Sequence, residues 1–452
     1  MNTMITQRHS FLRFSGIFLL LAIIYLAWLV ACWPGILGQD SLAIMLQVDT
    51  QRKFESGKPV FWYMYNLLFY GSTGRTEVPI GVQLLICAIV CARILFWMLE
   101  RQLYKSFAYC LFFVALAPSV VFYASSMYSD GVYAVTLSGM LFEAWRCIRR
   151  RQIDSWSAFI FLLTIPFAIF SRPNGIINFI PLLVLGWVLA RPQRLRLLAI
   201  VIPWCTVMLY GHISFKSSYS IGTIFPVALY ETVGFLEHRP MGLWEHNQPR
   251  ITPKTLEALT SLGSSIEHIQ EFYDHYYWDP LVFFPQGPAL LSLSKKDRRT
   301  IVREFFKYNL WHNFPAFAAS RVNIFLYSAL ANGGFPGPTY NKIILPQTKS
   351  ISKPNIHQWV TDKPLLDYFE FSMNHRGIFW APWVGLILIF MASYRFIKNR
   401  NLGDGVVAAT YTIQLAAVFI FSIAGEYRYL LAFFTAPLVL LPLIQTSSQD
   451  NV

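Results

Sequence analysis

The sequence has few charged residues and few cysteines, and each shortage excludes certain classes of protein. Only 13% of its 452 residues are charged, whereas 55% are hydrophobic, and the mean hydropathy is +0.43. Soluble domains carry about 25% charged residues, so this composition excludes an ordinary soluble protein. The six cysteines all fall inside apolar blocks, which predicts neither a disulfide framework nor a cysteine zinc site.

Nucleic-acid and zinc signatures are also missing. The net charge is +13, yet the sequence contains no basic helix or basic-aromatic array of the kind that tracks phosphates, so we expect no nucleic-acid partner. The histidines show no metal-binding spacing; His268 and His275, seven residues apart, are read as solvated side chains rather than zinc ligands. The chain has no internal repeat and no low-complexity segment.

Long apolar blocks dominate what remains. Their length, near the roughly 20 residues that cross a bilayer, predicts an all-α, multi-pass membrane protein of about ten transmembrane helices. The first block, 14–33, is too long for a cleavable signal peptide, so we expect it to stay as a span. The other spans are predicted at 78–98, 107–123, 131–148, 156–171, 175–190, 197–213, 377–396, 405–424 and 429–445.

Basic residues predict the orientation of these helices. The clusters RCIRRR (146–151), RPQRLR (191–196) and RFIKNR (395–400) all fall on one side when ten spans are counted. The positive-inside rule makes this side, with the N-terminus, cytoplasmic. Near the inner face, Glu143 and Arg146 have the i, i+3 spacing of an ion pair.

The predicted spans divide the chain into three regions. Residues 1–213 form an N-terminal transmembrane module that contains a first outer loop at 34–77. Residues 214–376 form an extracytoplasmic, mostly helical region, and residues 377–452 form the C-terminal transmembrane helices. Most of the polar sequence therefore lies outside the membrane, on the extracytoplasmic side.

The outer region contains helix-start signals. Thr252-Pro253 is typical of an N-cap followed by a first helical residue, and Ser294 with Asp297 resembles a capping box. The helix after this box carries an apolar stripe beside basic residues, which predicts a helix lying on the membrane surface. The stripe consists of Ile301, Phe305 and Tyr308.

The apolar segment 314–330 is interpreted differently from the spans. As a transmembrane helix it would place Arg321 in mid-membrane, at a cost of about 3 kcal/mol or more. It would also move the cluster at 395–400 to the outer side. We therefore predict an outer helix that lies on the bilayer or packs on the protein.

Two carboxylates are predicted at the outer membrane face. The stretch GQDSLAIMLQVDTQRKFESGKP (38–59) follows the first span directly and contains Asp40, while Asp130 stands where the fourth span begins. Two acids above a membrane cavity can supply a general base, bind a divalent metal or order a sugar. The alternative is that each acid only stabilises the N-terminus of a helix.

Two arginines are predicted at the same face. Arg172 lies in the tight outer turn SRPNG, and Arg428 lies in GEYRYLLAFF at the mouth of the last span. Both are suited to gripping an anionic head group or lipid phosphate. The alternatives are plain turn chemistry for SRPNG and, for Arg428, a pair with Glu426 beside interfacial tyrosines.

Together these motifs resemble the GT-C integral-membrane glycosyltransferases, in particular the bacterial enzymes that take sugars from polyprenyl-phosphate carriers. The similarity is carried by PGILGQDS, MYSDGVY, SRPNG and GEYRY, in that order and on one side of the membrane. It implies that Asp40 is the first-loop catalytic acid and that Asp130 is the second acid, near metal or donor phosphate. Arg172 and Arg428 then match basic positions near the lipid phosphate.

The similarity also implies a wider set of substrate-binding residues. Lys58-Pro59 stands where many relatives have a His-Pro pair, and Ser129 stands where a Lys often precedes the second acid, so the donor phosphate would depend more on Lys58, Arg172 and Arg428. The remaining predicted substrate-binding residues are Asn174, Glu426 and Tyr427.

The resemblance implies a bacterial inner-membrane enzyme whose active site faces the periplasm or exterior. Its partners would be membrane lipid, a polyprenyl-phosphate sugar donor and a glycan or glycolipid acceptor, with a divalent cation, Mg²⁺ or Mn²⁺, as an optional cofactor on Asp40 and Asp130. Three alternatives stay open: a transporter or flippase of a lipid-linked glycan, an O-antigen ligase or polymerase, and a structural or receptor-like membrane protein.

Overall fold

The fold is helical wherever the structure describes the chain. The computed structural model describes residues 2–50, 59–215, 224–237, 251–337, 339–354 and 362–449. It is 79% helix, and within the described ranges β-structure is limited to two isolated bridges. The all-helical fold class predicted from the apolar blocks is confirmed.

The helices are numbered in chain order. The first ten are α1 Asn2–Ala31, α2 Gln39–Thr50, α3 Val60–Asn66, α4 Glu77–Glu100, α5 Tyr104–Cys110, α6 Pro118–Ala124, α7 Ser129–Arg150, α8 Ser155–Phe170, α9 Phe179–Val188 and α10 Arg191–Phe215. The next are α11 Ile224–Gly234, α12 Pro253–Leu259, α13 Ile266–Glu271, α14 Asp279–Val282, α15 Lys295–Glu304, α16 Leu310–His312 and α17 Phe314–Ala329. The last are α18 Asn341–Ile344, α19 Asp362–Asn374, α20 Arg376–Phe379, α21 Trp383–Asn399, α22 Leu402–Phe421, α23 Leu431–Thr435 and α24 Pro437–Gln449.

The chain forms two compact units. The first unit comprises Met1–Ser220, Phe335–Leu415 and Arg428–Val452, and the second comprises Ile221–Gly334 and Ala416–Tyr427. The division at 213 and 376 follows predicted membrane spans, whereas these units follow contacts between residues. Residues 335–376 accordingly belong with the first unit, although they precede the last three predicted spans.

Among the residues that the structure describes, six helical segments are long and apolar enough to cross a membrane. They are Phe11–Ala31, Glu77–Glu100, Arg191–Phe215, Arg376–Asn399, Leu402–Phe421 and Tyr427–Thr446, and the bent pair Tyr104–Ala115 with Pro118–Ala124 makes a seventh if it is one span. Ten spans stay a prediction. The three predicted spans outside this set coincide with α7, α8 and Pro173–Val188; the last two have 16 residues, about 24 Å of helix, which is short for a bilayer.

Helix α7 lies in the core of the first unit although it is not strongly apolar. All its residues from Ser129 to Ile148 are buried, and it packs against α4, α8 and α23. Gly139 leaves room for Val90 of α4, because an added Cβ would overlap that side chain. A helix enclosed by others can carry charges that face the protein interior, which is why hydropathy alone does not select it.

The second unit has its own apolar core. Its members include Leu229 of α11, Leu259 of α12, Ile301 of α15 and Ile324 of α17. The predicted helix starts are confirmed: Thr252 is the N-cap of α12, and the Ser294 hydroxyl accepts a hydrogen bond from the Asp297 N–H at 3.2 Å.

The apolar stripe of α15 faces this core rather than the bilayer. Ile301 and Phe305 are fully buried, and Phe305 stacks on Phe235, while Tyr308 is exposed. A π-helical turn over Phe305–Asn309 follows α15, so the helical register changes between Phe305 and Tyr308. The prediction that these three residues form one membrane-facing stripe is wrong, because two of them supply the core of the unit.

Helix α17 packs on the protein, which is one of the two arrangements predicted for the segment 314–330. Arg321 is buried and forms an ion pair with Glu231 of α11. Its guanidinium also donates to the carbonyl oxygens of Ile420, at 3.3 Å, and of Ser422, so it caps the C-terminal end of α22. Arg321 therefore finds its counter-charge inside the second unit.

Candidate functional site

Backbone hydrogen bonds join the segments that precede α2 and α7. The Ile36 N–H donates to the Ser125 carbonyl oxygen at 3.0 Å, and the Met127 N–H donates to the Ile36 carbonyl oxygen at 3.0 Å. Helix α2 begins three residues after Ile36, and α7 begins two residues after Met127. The first turns of both helices therefore start from one bonded pair of segments.

Asp40 and Asp130 occupy these two first turns. Neither acid is an N-cap: α2 begins at Gln39, and the N-cap of α7 is Tyr128, which makes no side-chain capping bond. Negative charge is still favourable in a first helical turn, since the backbone N–H groups there point toward it. The alternative of a helix-stabilising acid thus applies to both, but each acid also has a specific cationic partner.

Asp40 forms an ion pair with Arg428. The pair is partly open to solvent, since the Asp40 side chain is 26% exposed and that of Arg428 is 10% exposed. The Arg428 guanidinium carbon lies 4.8 Å from the centre of the Tyr128 ring, a cation–π distance. Tyr128 also lies directly against the backbone of Gly38, where an added Cβ would overlap the phenol.

Asp130 forms the second ion pair, with Arg172. This pair is more enclosed, with side-chain exposures of 7% for Asp130 and 15% for Arg172. The Arg172 guanidinium carbon lies 5.6 Å from the centre of the Tyr133 ring, one helical turn along α7. Arg172 is therefore held by two residues of the same helix, a carboxylate and an aromatic face.

Tyr429 joins the two pairs. The guanidinium carbon of Arg172 lies 5.2 Å from the centre of the Tyr429 ring, and that of Arg428 lies 5.5 Å from it. The two guanidinium carbons are consequently no farther apart than the sum of these distances. The structure thus brings four predicted site residues together around one ring; their catalytic and substrate-binding roles stay predictions.

Asn174 anchors the turn that carries Arg172. Its amide donates to Gln414 Oε1 of α22 at 2.7 Å, and Gln414 Nε2 donates back to the Asn174 carbonyl oxygen at 3.1 Å and to Asn178 Oδ1 at 2.8 Å. The turn is a 3₁₀ helix over Pro173–Asn178. Gly175 is needed for close approach, because a Cβ there would overlap the backbone of Ile169.

Glu426 and Tyr427 belong to the second unit. The Gly425 N–H donates to the Tyr276 carbonyl oxygen at 2.7 Å, and the Tyr427 N–H donates to the Gly333 carbonyl oxygen at 3.2 Å. Tyr427 is fully buried, so it is not the interfacial tyrosine of the alternative interpretation. Lys58, the remaining predicted phosphate ligand, lies outside the residues that the structure describes.

Residues 349–352 of the first unit form hydrogen bonds with the end of α2 and with the start of α4. Asp49, in the last turn of α2, accepts hydrogen bonds from the Tyr70 hydroxyl at 2.9 Å and from the Lys349 N–H at 2.7 Å. The Ser352 hydroxyl accepts from the Thr76 N–H at 3.0 Å, at the start of α4. Asp49 is therefore a structural acid, in contrast to Asp40 on the same helix.

The set of side chains combines two carboxylates with two permanent cations. A guanidinium keeps its charge at any pH a protein meets and can hold a phosphate by two parallel hydrogen bonds. Within the described ranges no cluster of three or more His, Cys, Asp or Glu residues could hold a metal. Asp40 and Asp130 offer the oxygen ligands that Mg²⁺ or Mn²⁺ prefers, but each already faces an arginine, so a cation would compete with it.

Sequence reasoning missed the aromatic part of the site. Tyr128, Tyr133 and Tyr429 each place a ring against Arg172 or Arg428, and Gln414 holds the turn from a distant helix. Tyr128 and Tyr429 each stand within two residues of a predicted site residue, so proximity in sequence was a usable signal. Gln414 offered none, since its neighbours in sequence are apolar.

Comparison with known proteins identifies no relative of this chain. No family model, no curated protein and no solved structure matches the chain. The chain is an all-helical protein of membrane-spanning character, and any assignment of function beyond that depends on the site residues themselves.

Proposed function

We propose that the protein is a membrane glycosyltransferase that moves a sugar from a polyprenyl-phosphate carrier to a glycan or glycolipid acceptor at the outer membrane face. The observation that supports this most is the pair of acid–arginine contacts around Tyr429, at the ends of helices in the membrane-spanning unit. Such a site offers a base and an anion-binding surface together, which is what sugar transfer from a lipid phosphate requires.

The arginines would bind the donor phosphate. A phosphate presents more acceptor oxygens than a carboxylate and fits the planar guanidinium in a bidentate manner. When it binds Arg428, the carboxylate of Asp40 would be released from its resting partner. The lipid tail would lie along apolar helices while the sugar stands at the level of Asp40 and Asp130.

Asp40 would then act as the general base. It would accept the proton of the acceptor hydroxyl as that oxygen forms its bond to the anomeric carbon, and the bond from this carbon to the phosphate oxygen would break. The polyprenyl phosphate would leave with the bonding electrons, and Arg428 and Arg172 would stabilise its charge. Attack from the face opposite the phosphate would invert the anomeric configuration.

The alternatives are weaker on specific grounds. A transporter or flippase of a lipid-linked glycan would use the same cations, but it would give Asp40 no proton to take. An O-antigen ligase or polymerase would use a diphosphate-linked donor and depend on several outer cations, and Asp40 next to Arg428 favours a carboxylate mechanism. A structural or receptor-like protein would give neither acid–arginine pair a chemical role.

The direct test is sugar transfer by the purified protein in lipid, with polyprenyl-phosphate sugars and cell-envelope glycan acceptors. We expect Asp40→Asn to lower the rate by about 10²- to 10⁴-fold, the usual contribution of a general base. Asp367→Asn, at an exposed position of α19, is the matched control and should transfer normally.

Transfer at the wild-type rate by folded Asp40→Asn protein would remove Asp40 as the base. Movement of a lipid-linked glycan across the bilayer without any transfer would favour the flippase. The glycan structure of the cell envelope with and without the protein would identify the donor sugar and the acceptor together, since one specific sugar should be missing.

A further inference from the structure

Helix α17 of the second unit has one face fixed by contacts with the protein. Arg321, Ile324 and Ser328 are buried, with spacings of three and four residues that place them on one side of the helix. The contacts of Arg321 with Glu231 and with the end of α22 set the rotation of the helix. The opposite side of α17 is therefore directed away from the core of the unit.

The exposed residues of α17 are all apolar. Val322 is 47% exposed and Leu326 is 45% exposed. All residues of α17 that are exposed lack a polar side chain: they are Phe314, Pro315, Ala316, Ala319, Val322 and Leu326. Leu330, directly after the helix, continues the row. A 16-residue helix is about 24 Å long, so this apolar face extends along the helix for most of that length.

The segment before α17 presents aromatic and basic side chains. Trp311 is 63% exposed, and Phe306 and Phe314 are exposed as well. The exposed bases of this segment are Lys295, Lys296, Arg299, Arg303 and Lys307. The acids of the same segment are less accessible: Glu304 is buried, and Asp297 is half-buried in its cap with Ser294. The exposed charge here is thus positive.

We propose that this face of the second unit docks on a lipid bilayer, with α17 lying flat in the membrane surface. A helix with one apolar face and a neighbouring basic, aromatic band is the arrangement that enters the headgroup region to a depth of about 5–10 Å. Trp311 and Phe306 suit the headgroup level, and the bases suit anionic lipid phosphates. The proposal does not depend on the enzymatic activity proposed above.

A bilayer fits this face better than a protein partner. Within the described residues, six helical segments are able to cross a membrane, and one of them, Leu402–Phe421, ends within the second unit. The apolar row on α17 offers a protein partner no hydrogen-bond donor or acceptor to fix its register. The exposed bases belong to the segment before α17 rather than to the apolar row itself, as expected where acyl chains and phosphates form separate layers.

The test uses the full-length protein in lipid nanodiscs with an environment-sensitive fluorophore on Val322→Cys. The background carries Cys205→Ser, because Cys205 is half-buried and the other native cysteines are buried. The nanodiscs contain anionic phosphatidylglycerol in a zwitterionic lipid, with nitroxide quenchers attached to the acyl chains. The matched control is the same label on Glu257→Cys, an exposed position of α12 in the same unit.

We expect acyl-chain quenchers to reduce the emission of the label at 322, with a blue shift, and soluble iodide to have little effect. The label at 257 should behave in the opposite way. Leu326→Cys, one turn further along α17, should repeat the result for 322 and guards against a local folding defect. Replacing the anionic lipid by zwitterionic lipid should lower the quenching at 322, because the bases then lose their phosphate partners.

Two outcomes would overturn the proposal. Quenching of the label at 322 by iodide and not by lipid would place this face in water. Protection from both quenchers would indicate that another protein or a second copy of the chain covers it. Equal quenching in anionic and zwitterionic lipid would contradict the role given to Lys307 and its basic neighbours.

Discussion

The two ends of helix α7 carry ion pairs of opposite character. At its last turns, the Glu143 side chain has no exposed surface: its Oε1 accepts from Arg93 Nε at 2.9 Å, and its Oε2 accepts from Arg146 Nη1 at 2.6 Å and from the Ser157 hydroxyl at 2.7 Å. At its first turn, Asp130 faces Arg172 beside the more exposed Asp40–Arg428 pair, with aromatic rings against both guanidinium groups.

This difference in burial indicates that the ion pairs of Glu143 stabilise the fold, whereas the pairs at the start of α7 are able to bind a ligand. A buried carboxylate with both oxygens bonded to three side chains cannot exchange partners without leaving charges unpaired in the protein interior. A pair that is partly open to solvent gains less from its contact and can exchange its carboxylate for a stronger anionic ligand. One helix can therefore be fixed by charge at one end and bind ligands through charge at the other.

The largest expected effect comes from removing the buried acid. Glu143→Ala leaves Arg93 and Arg146 without this partner and should lower the free energy of unfolding by about 3–5 kcal/mol. Asp40→Ala, at the pair that is only partly open to solvent, should cost less, about 1 kcal/mol in stability. Thermal unfolding of both variants in detergent measures this contrast, and equal losses would contradict the comparison.

A second buried pair, Glu231 with Arg321, should show a pH dependence. Burial raises the pKa of Glu231 to about 7, and Arg321 opposes this shift. The ordinary pKa of a glutamate is lower, near 4.3, so between these values the folded state holds a proton that the unfolded state has released. Stability from this residue is therefore greatest at low pH and falls, by about 3 kcal/mol at most, as the pH rises to 7.

The measurement is the difference in thermal stability between the wild type and Glu231→Gln from pH 4.5 to 7.5. Gln keeps a hydrogen-bonding group for Ser320 and Arg321 but does not titrate. We expect the advantage of the wild type over the variant to shrink as the pH rises. An advantage that grows instead would mean that ion pairing with Arg321 outweighs burial.

A smaller effect is expected from Gly131, in the first turn of α7. A Cβ there would overlap the backbone of Tyr123 and Ala124, so Gly131→Ala should destabilise the protein by about 1–3 kcal/mol. Gly81→Ala, in α4, is the matched control: its Cβ would meet nothing within 4 Å, and it should be neutral or stabilising by up to about 1 kcal/mol. Thermal unfolding separates the two, and a tolerated Gly131→Ala would show that this end of α7 can shift.

The smallest effect is expected from the ring between the arginines. Tyr429→Leu removes the cation–π contacts to both arginines, each worth about 0.5–1 kcal/mol, so we expect the apparent affinity for the donor to fall about five- to thirtyfold. Tyr429→Phe keeps the ring and should stay close to the wild type. Donor titrations of the transfer reaction measure both, and a large loss with Phe would point to the hydroxyl instead.

Local patterns predicted the parts of the molecule that depend on neighbours in sequence. The helices, the Ser294 cap and the ion pair between Glu143 and Arg146 all follow from spacings of a few residues. Counting spans and motifs led us to expect Asp40, Asp130, Arg172 and Arg428 close together, and the structure shows them around one ring. That they lie on one side of the membrane stays a prediction.

What could not be predicted depends on contacts between distant segments. Ile301 and Phe305 were expected to face the membrane because their stripe is amphipathic, but the pattern does not say which apolar surface covers it. The pairing of Asp40 with Arg428 joins segments 388 residues apart, and that of Asp130 with Arg172 joins segments 42 residues apart. Tyr429 then lies between the two arginines. No periodicity in the sequence encodes such a choice.

The separation of Asp40 from Arg428, 388 residues, has a consequence for biosynthesis. At 5–20 residues per second, a ribosome needs roughly 20–80 s to make the chain between them. During that time Asp40 has been synthesised, but Arg428, with which it pairs in the finished protein, has not. A chain that stalls before residue 428 would therefore contain Asp40 and the Asp130–Arg172 pair but lack Arg428 and Tyr429.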